Sequence, residues 1–421
     1  MAYINKLIRP TRRGVLRGMG AGLAASVLGS PAVLRAQTAG KIRMGYITPE
    51  TGPLGLFGET DGYTVQKIRD ALGGRLQSAN GDVYEIEILE RDSQSNPNKA
   101  AEIAGDLILN DEVHLLVPAS TTDTILPAME QAELYETPSI SAGAPWQAVI
   151  MPRGGGEFDW TYHFFWGLDE ALNTFVGLWN GLETNRKVGM LFPQNIDGET
   201  WGNEEYGLPV PTRAAGYEVT IPGYFQPRTN DFSAQIATFK QAGCDIIGGI
   251  TYPDDLKTFV TQCNQQGFKP KATVFVGTGD TKETLEAMGA DGVEGLLVVS
   301  YPRPDISEDY GPGSKAYLEA YRAKYGEDPI APQSMAAFVG FKIMAQAINK
   351  AGSAEPEAVS GVLGSFDEPL RTYETGFGAK FDDNKQNQRA YPTVIQWQGG
   401  KQVTVFPDDA AGDNKMVNIG N

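Results

Sequence analysis

The sequence is poor in the residues that metal centres and most hydrolytic sites are built from. Its 421 residues include only two histidines and two cysteines. His114 and His163 cannot assemble a metal cluster between them, and His114 sits in the strand-like run Glu-Val-His-Leu-Leu-Val, where a histidine packs into a sheet. Gly-x-Ser-x-Gly elbows, phosphate loops ending Gly-Lys-Ser/Thr and His-Glu-x-x-His helices are missing. The turn Thr51-Gly52-Pro53-Leu54-Gly55 lacks dinucleotide-loop spacing. Asp382-Asp383-Asn384 opens like a calcium loop but lacks its later glycine and glutamate. No catalytic residue, metal or cofactor is expected, and the chain reads as a non-enzyme. Cys244 and Cys263 fit either one disulfide, through a βα unit that brings them to the same end of a domain, or two buried thiols.

Basic residues are also scarce, and they are unevenly placed. Lys6, Arg9, Arg12, Arg13, Arg17 and Arg35 fall within residues 1–36, which contain no acid. Thr11-Arg12-Arg13-Gly14-Val15-Leu16-Arg17 follows the twin-arginine pattern, and a small-residue apolar stretch over 18–29 comes after it. That stretch is too short for a bilayer span, which takes about 20 apolar residues. Residues 1–36 therefore read as an export signal cleaved between Ala36 and Ala39, giving a periplasmic protein. No cysteine follows to carry a lipid. Removing six of the 35 basic residues leaves 29 against 52 acidic ones, a net charge of −23. Such a surface argues against nucleic acid or anionic membrane as partner.

The remaining 380 or so residues exceed one ordinary domain. Apolar β-branched runs at 42–47, 84–90, 113–117, 187–192, 218–221, 245–250, 273–276 and 295–299 alternate with helix-length stretches at 64–76, 98–109, 123–134, 171–182 and 232–241. Alternation of this kind predicts parallel sheets covered by helices on both faces. An aromatic, Gly/Pro-rich segment over 143–167 fits a crossing into a second sheet. Beyond about 300 the pattern turns helical at 314–325, 334–351 and 355–364, and 391–406 reads as a hairpin around Gly399-Gly400. Ligands of open α/β sheets bind at the carboxyl ends of the strands. Here those ends carry the loops 51–58, 118–123, 141–146, 194–202, 252–255 and 277–280.

Lys41-Ile42-Arg43-Met44-Gly45, Thr51-Gly52-Pro53-Leu54-Gly55-Leu56-Phe57-Gly58, Arg91-Asp92-Ser93-Gln94-Ser95-Asn96-Pro97 and Thr229-Asn230-Asp231-Phe232-Ser233-Ala234 occur in this order. Together they resemble the type I periplasmic binding proteins of branched-chain amino acid ABC importers, over residues 41–406. The resemblance implies two α/β lobes joined by a three-crossover hinge, with lobe 1 at 41–161 plus 280–370 and lobe 2 at 162–279 plus 371–421. It also implies a monomer that delivers a small-molecule ligand to a membrane permease and ATPase.

By the same resemblance, Thr122 stands where relatives hold the ligand carboxylate, at the end of Ser120-Thr121-Thr122, with Ser120 and Thr121 as further ligand contacts at a helix start whose free N–H groups suit an anion. Gly143 and Ala144 fall on the loop whose carbonyl takes the ligand ammonium. Pro145 replaces a threonine of the carboxylate clamp. Trp146 is expected at the cleft mouth, Trp201 on the lobe 2 turn, Tyr252 beside it, Asp254 as the acidic partner of the ammonium, and Phe57 over the ligand. An aromatic wall with one acid also suits an aromatic carboxylate, an amide or a quaternary amine. A sensor subunit that presents ligand to a membrane receptor is a further alternative.

Overall fold

The computed structural model describes residues 39–151 and 158–417, all within one compact unit. The expected export signal lies outside the described residues.

Six strands form one sheet: β1 Gly40–Thr48, β2 Arg75–Gln77, β3 Val83–Asp92, β4 Leu115–Pro118, β5 Ser139–Ser141 and β6 Thr161–His163, in the order β2-β3-β1-β4-β5-β6. A second sheet takes β7 Lys187–Leu191, β8 Glu218–Thr220, β9 Ile246–Ile250, β10 Ala272–Val276, β11 Leu297–Ser300, β12 Thr393–Gln398 and β13 Lys401–Phe406, ordered β13-β12-β11-β10-β9-β7-β8. Pairing is parallel except at β2 and around β12 and β13. The central strands are apolar on both faces because helices cover both. In β1, Met44 lies between Ile88 and Leu115, and its neighbours Ile42, Tyr46 and Ile47 are fully buried.

The helices follow the expected rhythm with local shifts. The first ends at Leu72 rather than 76, because Gly73 and Gly74 take positive φ of 57° and 69° and turn the chain into β2. Helix Met335–Ala351 is apolar nearly all round, and it lies against β2, β4, β5 and helix Asp61–Leu72.

The chain passes between the sheets after β6, after β11 and after helix Pro356–Leu363, giving the two-lobed type I arrangement with its three crossovers. One expectation about its division needs correction. The expected lobe 1 includes residues 280–300, but β11 pairs with β10 and β12 of the second sheet. The crossing therefore comes after Ser300, where Tyr301 packs beside Trp166 and Phe165 of the first crossover. The cysteines are both buried and free. Among the described residues, no helix is long and apolar enough to cross a membrane, and no His/Cys/Asp/Glu group could hold a metal.

Candidate functional site

The loops at the carboxyl end of the first sheet are tied together by their own polar groups. After β1, the chain turns through the short 3-10 turn Gly55–Gly58, leaving Phe57 about a third exposed. The Asp92 carboxylate accepts the amides of Glu50, Thr51 and Gln94 at 3.0, 3.2 and 2.7 Å. Ser95 Oγ donates to Thr51 O and accepts from Leu54 N. Two of the sequence motifs, 51–58 and 91–97, are thus two sides of one brace.

Beside this brace, Ser120 adopts a φ of +77° and donates its amide to Ala142 O at 2.9 Å. A non-glycine residue holds such a conformation only when its surroundings fix it. Gly143 supplies one constraint. Its φ is +130°, and a Cβ there would stand 2.6 Å from Ser120 N, so the 119–121 and 142–144 loops meet backbone to backbone. Helix Thr122–Leu134 starts one residue earlier than expected, with Thr121 at the N-cap, and the Thr121 hydroxyl makes no capping bond. It points to Thr124 Oγ1 at 3.3 Å, which bonds Ser93 Oγ at 2.8 Å. Thr122, half-buried, opens the helix; the Thr124 and Ile125 amides bond back to Thr121 O at 3.0 and 2.9 Å, so the helix's own bonding leaves over the amides of Thr122 and Asp123.

Asp61 completes this edge. It lies in the first turn of its helix and is wholly buried. Tyr46 OH donates to its Oδ1 at 2.7 Å, Ser120 Oγ to its Oδ2 at 3.3 Å, and Thr48 Oγ1 also donates to Oδ2. Burial pushes its carboxyl up to about 6, against the pull of the hydroxyls of Ser334, Thr48, Tyr46 and Ser120. Asp61 escaped the sequence reading because an acid at a helix start reads as an ordinary cap.

The aromatic wall expected of two tryptophans is not formed. Pro145 caps the short helix Trp146–Ile150 and turns the Trp146 indole inward, to 1% exposure. There it stacks on His163 at 4.9 Å and meets Phe158 at 5.2 Å, alongside Ile125, Met129 and Val149. Burial pushes His163 down to about 3, so the ring is neutral, with Nδ1 2.8 Å from Ser141 Oγ. Trp201 ends helix Ile196–Trp201 and is 5% exposed, packed edge-on to Phe175. Both indoles belong to the core, because each sits on a short helix that rolls its apolar side under a neighbouring longer one.

At the second sheet, Tyr252 is half-buried ahead of helix Pro253–Gln265. Its hydroxyl donates to Asp197 Oδ2 and accepts from Asn195 Nδ2, both at 2.7 Å. Burial, then the Asp197 charge, raises its pKa. Asp254 is exposed, whereas its neighbour Asp255 is fully buried and accepts the Thr229 amide at 3.0 Å. Asp255 therefore anchors the 229–234 motif, and Asp254 is the member of the pair that faces solvent. The next loop carries Asp280, which sequence reasoning placed in a candidate loop but did not single out. It accepts from Ser300 Oγ at 2.6 Å and from the buried Arg303 at 3.0 Å. A cavity of about 630 Å³ opens there, with Asp280, Arg303, Trp397 and Gln402 on one side and Arg322, Asp328 and Ile330 on the other. A second depression, about 530 Å³, lies at the amino-terminal ends of β1 and β4 around Arg43 and His114, away from every loop just described.

Known proteins place this architecture. A family model for periplasmic binding proteins matches residues 41–402. Leu/Ile/Val-binding protein homolog 7 of Brucella abortus (strain 2308) is 28% identical over 377 residues, covering 88% of this chain and 92% of that protein. Homolog 8 of the same strain is 28% identical over 380 residues, covering 88% and 91%. Among solved structures, a leucine binding protein from Thermotoga maritima MSB8 superposes with a TM-score of 0.70 at 20% identity, covering 87% of this chain and 99% of the other. The branched-chain amino acid transporter substrate binding protein of Streptococcus pneumoniae, solved with isoleucine, gives 0.66 at 19% identity, covering 87% and 100%. With the family match spanning most of its length and the fold shared with these structures, the chain belongs to the periplasmic binding protein family.

Proposed function

We propose that this chain is the substrate-binding component of an ABC importer, a receptor rather than a catalyst, that captures one small amino-acid-like solute between its lobes. The observation that carries this reading is the pairing of edges. Ser120, Thr121, Thr122, Gly143 and Ala144 at the first sheet's carboxyl end share one constrained loop pair. Tyr252 and Asp254 occupy the corresponding end of the second sheet, the region where open α/β sheets take ligands. Relatives named for leucine, isoleucine and valine binding support the solute class.

In this reading the open form closes when solute bridges the lobes, and the closed form's higher affinity supplies the shift. The chain works as a monomer, is exported by its twin-arginine signal to the periplasm, needs no cofactor and docks on a permease with its ATPase. Phe57 and Tyr252 supply the aromatic contacts, since Trp146 and Trp201 are committed to packing.

The test is to denature the purified protein and identify released small molecules by mass spectrometry. An amino acid bears the reading out. A recovered aromatic acid or methylated amine transfers the receptor role to the alternative ligand class, for which Pro145 is the motivating departure. A molecule that is chemically converted on incubation with refolded protein overturns the receptor reading.

A further inference from the structure

The sequence resemblance points Thr122 at the ligand carboxylate; Ser120, two residues ahead of it, cannot share that task, because the hydrogen bonds around Asp61 leave its hydroxyl no proton to give. A serine hydroxyl carries one proton and two lone pairs, and an ionised carboxylate only accepts. Ser120 Oγ donates to Asp61 Oδ2 at 3.3 Å, and its amide is taken by Ala142 O at 2.9 Å. Neither Ser120 donor faces a ligand. Thr48, at the end of β1, is committed to the same carboxylate oxygen, and Tyr46 to the other. The Thr121 hydroxyl is directed at Thr124. Pro145 contributes neither hydroxyl nor N–H, and the Trp146 indole N–H is turned into the core. Among the described residues no lysine, arginine or histidine is bonded to Asp61, so its charge is balanced by hydroxyl dipoles alone.

We infer that Asp61 is a positioning residue that draws the Ser120 proton inward, so that Ser120 meets the solute as a hydrogen-bond acceptor and the first lobe selects for an N–H-donating group, an ammonium above all. This inference rests on the reading of the cleft as an amino-acid-type site. The carboxylate of such a solute is then left to the first-turn amides of helix Thr122–Leu134 and the Thr122 hydroxyl. The buried charge behind Ser120 adds a long-range preference for a cation, because it acts through a poorly screened interior. A solute carrying an ammonium without a carboxylate is therefore retained better than one carrying a carboxylate without an ammonium.

The groups facing Asp61 are Tyr46 from β1, Tyr317 from helix Ser314–Tyr325 and Glu90 from β3, with Glu50 and Arg69 beside Glu90. None of them is a cation in contact with the carboxylate. Binding of an ammonium beside Ser120 below neutral pH then favours the ionised form of Asp61, with release of a proton.

Calorimetry on the full mature chain tests this with L-leucine, 3-methylbutylamine, which lacks the carboxylate, and 4-methylpentanoate, which lacks the ammonium. The expected wild-type order is leucine, then the amine, then the acid, with the last two about tenfold or more apart. Asp61→Asn, whose amide can donate back to Ser120, should bring amine and acid close to parity. It should also abolish the proton release seen for leucine as a dependence of binding heat on buffer ionisation near pH 6. Ser120→Ala removes the relayed oxygen but leaves the carboxylate and its long-range field, so it should reduce the amine preference by less than Asp61→Asn does. If the wild type binds leucine but takes the acid as well as the amine, or keeps its preference in both variants, this inference alone falls. If folded wild type binds none of the three, the amino-acid reading of the cleft falls and carries the inference with it.

Discussion

Asp61→Asn should shift the protein's stability relative to wild type by an amount that depends on pH in a defined way. Asp61 is wholly buried, and burial raises its carboxyl from 3.8 to about 6. The native state therefore holds this proton to higher pH than the unfolded chain does. Protonated Asp61 contributes its full stability below about pH 4, and that contribution is lost as pH rises through about 6. The difference corresponds to about 3 kcal/mol at about pH 7.5. Asparagine does not titrate, so the variant's advantage over wild type should grow by about 3 kcal/mol between about pH 4 and 7.5, whatever its fixed offset. In a chain this long that is a gain of several degrees in the difference of midpoints. Calorimetric melting of both proteins across that range reads it directly. Parallel midpoints at every pH would refute the reasoning, because they would mean that Asp61 titrates alike folded and unfolded.

Three other perturbations follow from the packing. Trp146→Ala empties a site held by His163, Phe158 and Met129 and should cost about 3–5 kcal/mol in urea unfolding; a cost below about 1 kcal/mol would return the indole to the surface. Gly143→Ala forces a Cβ to 2.6 Å from Ser120 N at a φ of +130°. It should lower stability by about 1–3 kcal/mol and weaken solute binding, and unchanged binding would separate that loop from the site. Because Cys244 and Cys263 are both buried free thiols, reductant should leave the melting midpoint unmoved, and both thiols should react only after denaturation. Failure to find two reactive thiols in denaturant would mean a disulfide.

The rhythm of the fold was legible because its core strands are β-branched runs long enough to register, such as β1, β9 and β10, separated by helices with clear polar faces. β5 and β6, three residues each, fall below the length at which alternation is readable; β6 lies inside the aromatic segment 143–167 and β5 just ahead of it. Nothing local to β11 says which sheet it joins; its partners β10 and β12 lie 23 and more than 90 residues away. At the candidate site, packing rather than local pattern decides which loop side chains are exposed. Asp254 and Asp255 are adjacent acids at one helix start, and only the helix's rotational phase, about 100° per residue, decides that Asp255 is buried and Asp254 exposed. Trp146 next to a loop reads as cleft surface until Pro145 is seen to turn it under helix Thr122–Leu134. Asp61 carries no sequence signal, since its role depends on Thr48 and Ser120, which converge on it only in the folded sheet.

The central claim, that the chain is a receptor for an amino-acid-like solute, is tested most directly by isothermal titration of ligand-stripped protein against the standard amino acids. The account predicts saturable binding of at least one of them, one molecule per chain, without chemical change in the ligand. Absence of binding heat for every amino acid with protein that is demonstrably folded would contradict it.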